Sequence, residues 1–251
     1  MQDFSGKSFL VTGASRGIGA ATAEILLARG ARLIGTYSSA EGRLATLCDI
    51  YGGEHLLALK ADFSDKNAAE SVFEQAAAWA GRLHGLVNNA GIMPQTVPDG
   101  PMDSWHTDWA RVMQVNVQAV ADLSKLAVAH FRQADGGALV NIASRAAFRG
   151  DGPDYMHYAA SKGAVVALTR TLARAYAREN ILAYIIAPGW VRTDMAAVAY
   201  EEGNQWMLDE VPLGRAAEPE EVGEMIAFLL SGKAASATGA TFDLNGASYV
   251  R

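Results

Sequence analysis

The sequence predicts a single α/β domain, a doubly wound parallel sheet of about seven strands with helices on both faces. Three observations predict it. Short apolar runs of strand length alternate with helical patterns along the chain, half of the 251 residues are hydrophobic, and the first apolar run leads straight into a glycine-rich turn that opens a helix. No linker, low-complexity tract or internal repeat interrupts this alternation, so residues 1–251 read as one domain.

Residues 7–12, Lys-Ser-Phe-Leu-Val-Thr, form the first predicted strand, followed by the turn Gly13-Ala-Ser15-Arg16-Gly17-Ile18-Gly19 and a helix to about Arg29. Glycine lets the backbone approach a pyrophosphate, and a helix N-terminus offers unpaired N–H groups and a partial positive charge to hold it. The second strand spans 31–37, and at its end a site for NAD usually places an acid on the ribose 2′-hydroxyl. No Asp or Glu stands at 35–39. The chain offers Thr36, Tyr37, Ser38 and Ser39 instead, while Arg16 within the turn can hydrogen-bond a 2′-phosphate, a pattern that favours NADP(H) over NAD(H).

A helix near 41–51, a strand at 55–61 running into Asp62 and Phe63, a helix near 66–80 and a strand at 83–87 continue the alternation. Ligands of such sheets lie beyond the carboxyl ends of the strands, where Asp62 and Asn88-Asn89-Ala90-Gly91 fall. Asp62 equally suits a helix cap. Residues 92–103 carry three prolines and should form a loop lining one wall of the cleft, with Met93 in it. A long helix is expected from about 104 to 131, with Asn116 in its interior.

The strand at 138–143 delivers Ser144 to the same sheet edge, and Gly150–Asp154 turns the chain into a helix over 155–179. Near the head of that helix Tyr158 and Lys162 stand at i and i+4, on one face and roughly 5–6 Å apart at Cβ. A phenol titrates near pH ~10, and a neighbouring ammonium should lower that value, making the pair a general acid/base for a carbonyl or alcohol oxygen. His157 points about 100° away around the helix and reads as structural. The strand at 181–187 ends in Pro188-Gly189-Trp190-Val191-Arg-Thr193, after which residues to about 213, with Met195, Tyr200 and Trp206, suit a substrate lid over about 190–213. A helix at 218–231 and a strand at 240–244 complete the pattern.

The net charge of −6 without a run of like charges argues against a nucleic-acid partner. The single cysteine, Cys48, allows no internal disulfide, and five scattered His leave no metal-ligand spacing. No signal peptide and no apolar run of roughly 18 residues is visible, so a cytoplasmic protein off the membrane is expected.

Together Thr12-Gly-Ala-Ser-Arg-Gly-Ile-Gly19, Asp62, Asn88-Asn-Ala-Gly91, Asn116, Ser144, Tyr158-Ala-Ala-Ser-Lys162 and Pro188-Gly-Trp-Val-Arg-Thr193 resemble, in order, the motifs of the short-chain dehydrogenase/reductase family. The likeness runs from about residue 5 to 246, and the tail, with Pro212-Leu-Gly-Arg215 and Pro219-Glu-Glu-Val222, resembles the branch of the 3-oxoacyl-carrier-protein reductases. The resemblance implies a Rossmann-like fold and hydride transfer between nicotinamide and a carbonyl or secondary alcohol. Tyr158 would give or take the oxygen's proton, Lys162 would lower its pKa and bind the nicotinamide ribose, Ser144 would hold the reacting oxygen, and Asn116 would hold a relay water. Gly13, Ser15, Arg16, Gly17, Ile18, Gly19, Tyr37, Ser38, Ser39, Asp62, Phe63, Asn89, Ala90, Gly91, Pro188, Gly189, Val191 and Thr193 would contact the cofactor, and Met93, Arg145, Asp154, Trp190 and Met195 the substrate.

The Ser144 to Tyr158 interval is one residue longer than in carrier-protein reductases, and Asn245-Gly246-Ala247 replaces a frequent Gly-Gly pair, so the loop with Arg145, Arg149 and Asp154 is open to another substrate. Three readings stay open: a reductase or dehydrogenase of small carbonyl compounds, a 3-oxoacyl-thioester reductase, and a non-catalytic nucleotide sensor on the same fold. The long helices 104–131 and 155–179 offer faces for a homotetramer, as the family commonly forms.

Overall fold

The computed structural model describes residues 2–195 and 206–251. Seven strands form one parallel sheet in the order β3-β2-β1-β4-β5-β6-β7. They are β1 (Ser8–Val11), β2 (Arg32–Tyr37), β3 (Leu56–Lys60), β4 (Gly85–Asn88), β5 (Gly137–Ile142), β6 (Ile181–Pro188) and β7 (Thr241–Leu244). The helices are α1 (Gly17–Ala28), α2 (Arg43–Tyr51), α3 (Ala68–Ala80), α4 (Met102–Met113), α5 (Ala119–Arg132), α6 (Ala146–Arg149), α7 (Met156–Tyr176), α8 (Trp206–Asp209) and α9 (Pro219–Leu230). The expected strands are all present.

Period-two alternation along the strands explains the three-layer build. Phe9, Val11, Val87, Val140 and Ile186 pack with α1, α2 and α9 through Leu26, Leu44 and Ile226 on one face. Leu10, Leu86, Leu139 and Ala183 pack with α3, α5 and α7 through Val72, Phe73, Leu123, Phe131 and Leu172 on the other. The inner strands thus show apolar side chains to both layers, whereas β7 at the sheet edge turns Phe242 and Leu244 to one face and Thr241 and Asp243 to the other.

The chain builds outward from β1 in one direction through β2 and β3, then returns to pair β4 with the other side of β1. This reversal is the topological switch point, where a crevice opens beyond the carboxyl ends of β1 and β4. It brings the glycine turn beside Asn88–Gly91.

Two elements differ from the sequence expectation. The helix expected over 104–131 is interrupted by a π-helical segment, Gln114–Gln118, between α4 and α5. An inserted π turn re-aims one side chain without breaking the helix, and Asn116 sits within it. A short helix, α6, also forms shortly after β5, within the stretch expected as loop ahead of the turn at Gly150–Asp154. Of the expected lid, residues 196–205, including Tyr200, lie outside the described residues, and Trp206 begins α8.

Candidate active site

The crevice is a cavity of about 470 Å³ that runs from the glycine turn to the head of α7. Its rim is built by hydrogen bonds between neighbouring strand ends. The Thr36 hydroxyl accepts from the Gly13 N–H at 3.0 Å, and the Thr12 hydroxyl accepts from the Asn89 and Ala90 N–H groups at 2.9 and 3.0 Å. Asn89 donates through Nδ2 to the Thr12 and Gly13 carbonyls at 2.9 and 3.1 Å, so its amide ties the turn to β4.

Gly17 has φ +54°, a left-handed conformation that favours glycine, and it begins α1. Gly19 does not line the cavity; it packs against the Gly13 carbonyl, within the turn. The N-cap of α1, Arg16, makes no side-chain cap hydrogen bond and the first turn holds no acid, so its N–H groups are presented to an anion. These features fit a dinucleotide pyrophosphate.

Ser15, Arg16, Ile18, Thr36, Tyr37, Ser38, Ser39, Asp62 and Phe63 line this half of the cavity with Gly13 and Gly17. Arg16 pairs with Asp194 across the mouth at 3.0 Å, with both side chains about three-quarters exposed (75% and 73%). An ion pair so exposed is worth roughly 0–1 kcal/mol and yields readily to a phosphate. The Tyr37 hydroxyl donates to Glu41 at 3.1 Å. Asp62 accepts from the Ser64 N–H and hydroxyl at 2.9 and 2.7 Å, which holds its carboxyl below the usual range.

Ser144, Tyr158 and Lys162 line the other half with Asn89, Ala90, Gly91, Pro188, Gly189, Val191 and Thr193, and with the substrate candidates Met93, Arg145, Trp190 and Met195. The Ser144 hydroxyl accepts from the Ala146 N–H at 3.1 Å and faces the Tyr158 side chain, on whose titration it acts. Lys162 Nζ donates to the Ile142 carbonyl at 2.9 Å and lies 5.7 Å from the centre of the Tyr158 ring. Burial governs both titrations: it pushes the phenol up to about 12, against the smaller lowering effect of Ser144, and the ammonium down to about 8. The expected lowering of Tyr158 by Lys162 is therefore not what the fold produces. Desolvation outweighs that proximity, and the phenol holds its proton at neutral pH.

Lys162 makes stability depend on pH. Its folded value of about 8 lies below the ordinary 10.5, so between those values the unfolded chain binds a proton that the folded chain has released, and stability rises with pH. From pH 7 to pH 9.5, wild type should gain about 2 kcal/mol relative to Lys162→Met in guanidinium unfolding. Equal gains in the two proteins would show that the ammonium is not desolvated.

Besides Gly19, two expected residues stand outside the cavity lining. Asn116 is buried beneath the site: Oδ1 accepts from the Ile92 N–H and Nδ2 donates to the Ile92 carbonyl, both at 2.9 Å, with a further donation to Ser161 Oγ at 3.1 Å. It clamps the segment after β4. Asp154 follows the turn that α6 introduces, and its carbonyl accepts from the Thr96 N–H at 3.0 Å. Asp151 lines the cavity in its place, together with Arg111, Ser64 and Ile92, which the sequence reading did not single out. Arg111 lies on α4, and only the packing of that helix reveals that it reaches the crevice.

Among the described residues no three His, Cys, Asp or Glu side chains are grouped to hold a metal, and no helix is long and apolar enough to cross a membrane. A family profile described as enoyl-(acyl carrier protein) reductase matches residues 13–246. The chain is 36% identical over 248 residues to the 3-oxoacyl-[acyl-carrier-protein] reductase of Escherichia coli, covering 99% of each. It is 35% identical to the cis-4-hydroxycyclohexanecarboxylate dehydrogenase of Sinomonas cyclohexanicum, covering 97% of this chain and 96% of that one. A short-chain dehydrogenase from Burkholderia cenocepacia, solved in complex with NADP, superposes with a TM-score of 0.89 at 32% identity, over 98% of this chain and 99% of that one.

Proposed function

The chain belongs to the short-chain dehydrogenase/reductase family, and from that premise we propose that it is an NADP(H)-dependent oxidoreductase of carbonyl compounds and secondary alcohols, with Tyr158 as its general acid/base. The observation that carries the reading is that Ser144, Tyr158 and Lys162 line one crevice with the N-terminus of α1, Lys162 Nζ lying 5.7 Å from the centre of the Tyr158 ring.

When bound, the nicotinamide cofactor supplies or accepts the hydride. The glycine turn and α1 would hold its pyrophosphate, Arg16, Ser38 and Ser39 its 2′-phosphate, and the walls at Asp62, Asn89–Gly91 and Pro188–Thr193 the rest. Tyr158, protonated at neutral pH, donates its proton to the oxygen of the reacting carbonyl, while Ser144 fixes that oxygen and the phenol relative to each other. Lys162 stays charged over most of its population at pH 7 and keeps a positive field beneath the phenol, which favours negative charge on its oxygen once the proton has left. Starting from a protonated phenol, the residues suit carbonyl reduction at neutral pH.

The preference for NADP(H) rests on Arg16 and on the lack of an acid at 35–39. In Arg16→Ala the ratio of kcat/KM for NADPH over NADH should fall about 10-fold, the worth of one charge-assisted bond. An unchanged ratio would assign Arg16 to the ion pair with Asp194 alone.

A second reading, a 3-oxoacyl-thioester reductase that meets an acyl carrier protein, is favoured by the names of several relatives, including that of Escherichia coli. The Sinomonas relative, at nearly the same identity, is named for a hydroxy acid, so the family likeness leaves the substrate open. An acidic carrier calls for free basic residues, yet Arg132 is held by Glu179 through two hydrogen bonds, one of 2.9 Å. Oxidation of NADPH and NADH against ketones, aldehydes and 3-oxoacyl thioesters decides between the two readings. We also propose one domain that forms a homotetramer: α7 leaves Met156, Ala160 and Ala167 exposed, a face of small and apolar residues. Light scattering that gives a monomer would exclude it.

A further inference from the structure

We propose that Arg145 anchors a carboxylate of the substrate, so that the compounds converted in this crevice are oxo and hydroxy acids with a free carboxylate. This rests on the carbonyl/alcohol reading above and narrows it.

Arg145 follows Ser144 directly, and its N–H donates to the Pro188 carbonyl at 2.9 Å, which fixes it between β5 and β6. The residue is only 6% exposed, lines the cavity, and has a buried Nη1 without a hydrogen-bond partner. The charges around it do not satisfy it. Glu210 comes within 3.6 Å of Nη2, beyond hydrogen-bond reach, and the same carboxylate oxygen takes Arg149 Nη1 at 3.0 Å. Asp151 acts on Arg145 only through space, and its Oδ1 accepts from the Gly152 N–H. The Trp190 ring, also on the cavity wall, lies 5.5 Å from the guanidinium carbon.

A guanidinium removed from water is costly when its one ion pair is long and shared and a buried N–H group is left unpaired, since buried charges are normally paired and hydrogen-bonded. Desolvation, followed by repulsion from Arg149, already pulls its pKa down. The ligand that would relieve this is a planar anion with two acceptor oxygens, because the guanidinium presents parallel N–H groups in a fixed fork. A ketone, ester or thioester oxygen accepts a bond but leaves the charge unneutralised. The cofactor phosphates are assigned to the glycine turn and to Ser38 and Ser39, whereas Arg145 adjoins the reacting groups Ser144 and Tyr158.

The test compares 4-oxopentanoate and 4-oxocyclohexanecarboxylate with their methyl esters as substrates of the NADPH-loaded enzyme. Wild type should favour an acid over its ester by about 10²-fold in kcat/KM, mostly through KM, and Arg145→Gln should bring that ratio near one. Arg145→Lys, which keeps the charge without the fork, should give an intermediate ratio. An acid-to-ester ratio near one in wild type, equal losses on acid and ester in Arg145→Gln, or a 3-oxoacyl thioester converted better than both acids would each overturn the anchor. Absence of turnover with every carbonyl would contradict the oxidoreductase reading instead, and a binding measurement then still tests Arg145. Cyclohexanecarboxylate, and not cyclohexanecarboxamide, should raise the Tm of the NADP-bound wild type, and Arg145→Gln should lose the shift. Equal shifts for acid and amide, or a shift retained in Arg145→Gln, would overturn the proposal.

Discussion

Tyr158→Phe should lower kcat by about 10²–10⁴-fold while leaving the Kd for NADPH within about threefold of wild type. Tyr158 is largely buried on the cavity wall, and the ring fills the same volume after substitution, so the change removes one proton donor and its polar contact with Ser144. Stability should shift by no more than about 1 kcal/mol, the net worth of a hydrogen bond. The loss should fall on kcat rather than KM, because the proton moves only in the transition state. A steady-state assay with a ketone substrate and a fluorescence titration of NADPH separate the two quantities. Turnover within threefold of wild type would remove Tyr158 from the chemistry.

Gly19→Ala should raise the Kd for NADPH by about 10²-fold or more and destabilise the fold by about 1–3 kcal/mol. A Cβ at this position would stand 2.1 Å from the Gly13 carbonyl oxygen and 2.6 Å from Asn89 Nδ2. The first of these obstacles is a backbone atom, with the Gly13 carbonyl carbon behind it at 2.8 Å, and Asn89 is itself bonded to the Thr12 and Gly13 carbonyls, so nothing at the contact can swing aside. Relief requires α1 to move away from β1, which shifts the N–H groups that would hold a pyrophosphate. A titration of NADPH together with thermal unfolding reads both effects. Wild-type values in both would show that the turn has room that its geometry denies.

The fold was legible because the strands are short apolar runs and the glycine, proline and Asn clusters fall at or near the ends of elements, so the alternation by itself leads to a parallel sheet. The switch-point rule then collected the strand-end residues Gly13, Asp62, Asn89 and Ser144 into one crevice without any knowledge of side-chain packing. The features that escaped depend on tertiary contact. The π segment at Gln114–Gln118 leaves the apolar periodicity of its flanks intact, so it reads as continuous helix, and Asn116 was linked to a water although its amide is taken by Ile92 and Ser161. Asp154 was named toward the substrate and Asp151 was not, because nothing local announces the four-residue helix α6 that turns the loop and brings Asp151 to the cavity. Spacing placed Lys162 next to Tyr158 and suggested a lowered pKa. Only the folded chain shows that both are desolvated, which reverses the sign for the phenol.

The claim that the crevice transfers hydride to a carbonyl carbon is tested most directly by isotope transfer. The protein would be incubated with NADPH carrying deuterium at both positions of the nicotinamide C4 and with a ketone of the acid panel, and the product alcohol analysed by mass spectrometry and NMR. One deuterium on the carbinol carbon, formed by wild type and absent with Tyr158→Phe over the same time, is the predicted result. An alcohol without deuterium, or oxidation of NADPH without any alcohol, would contradict the assignment.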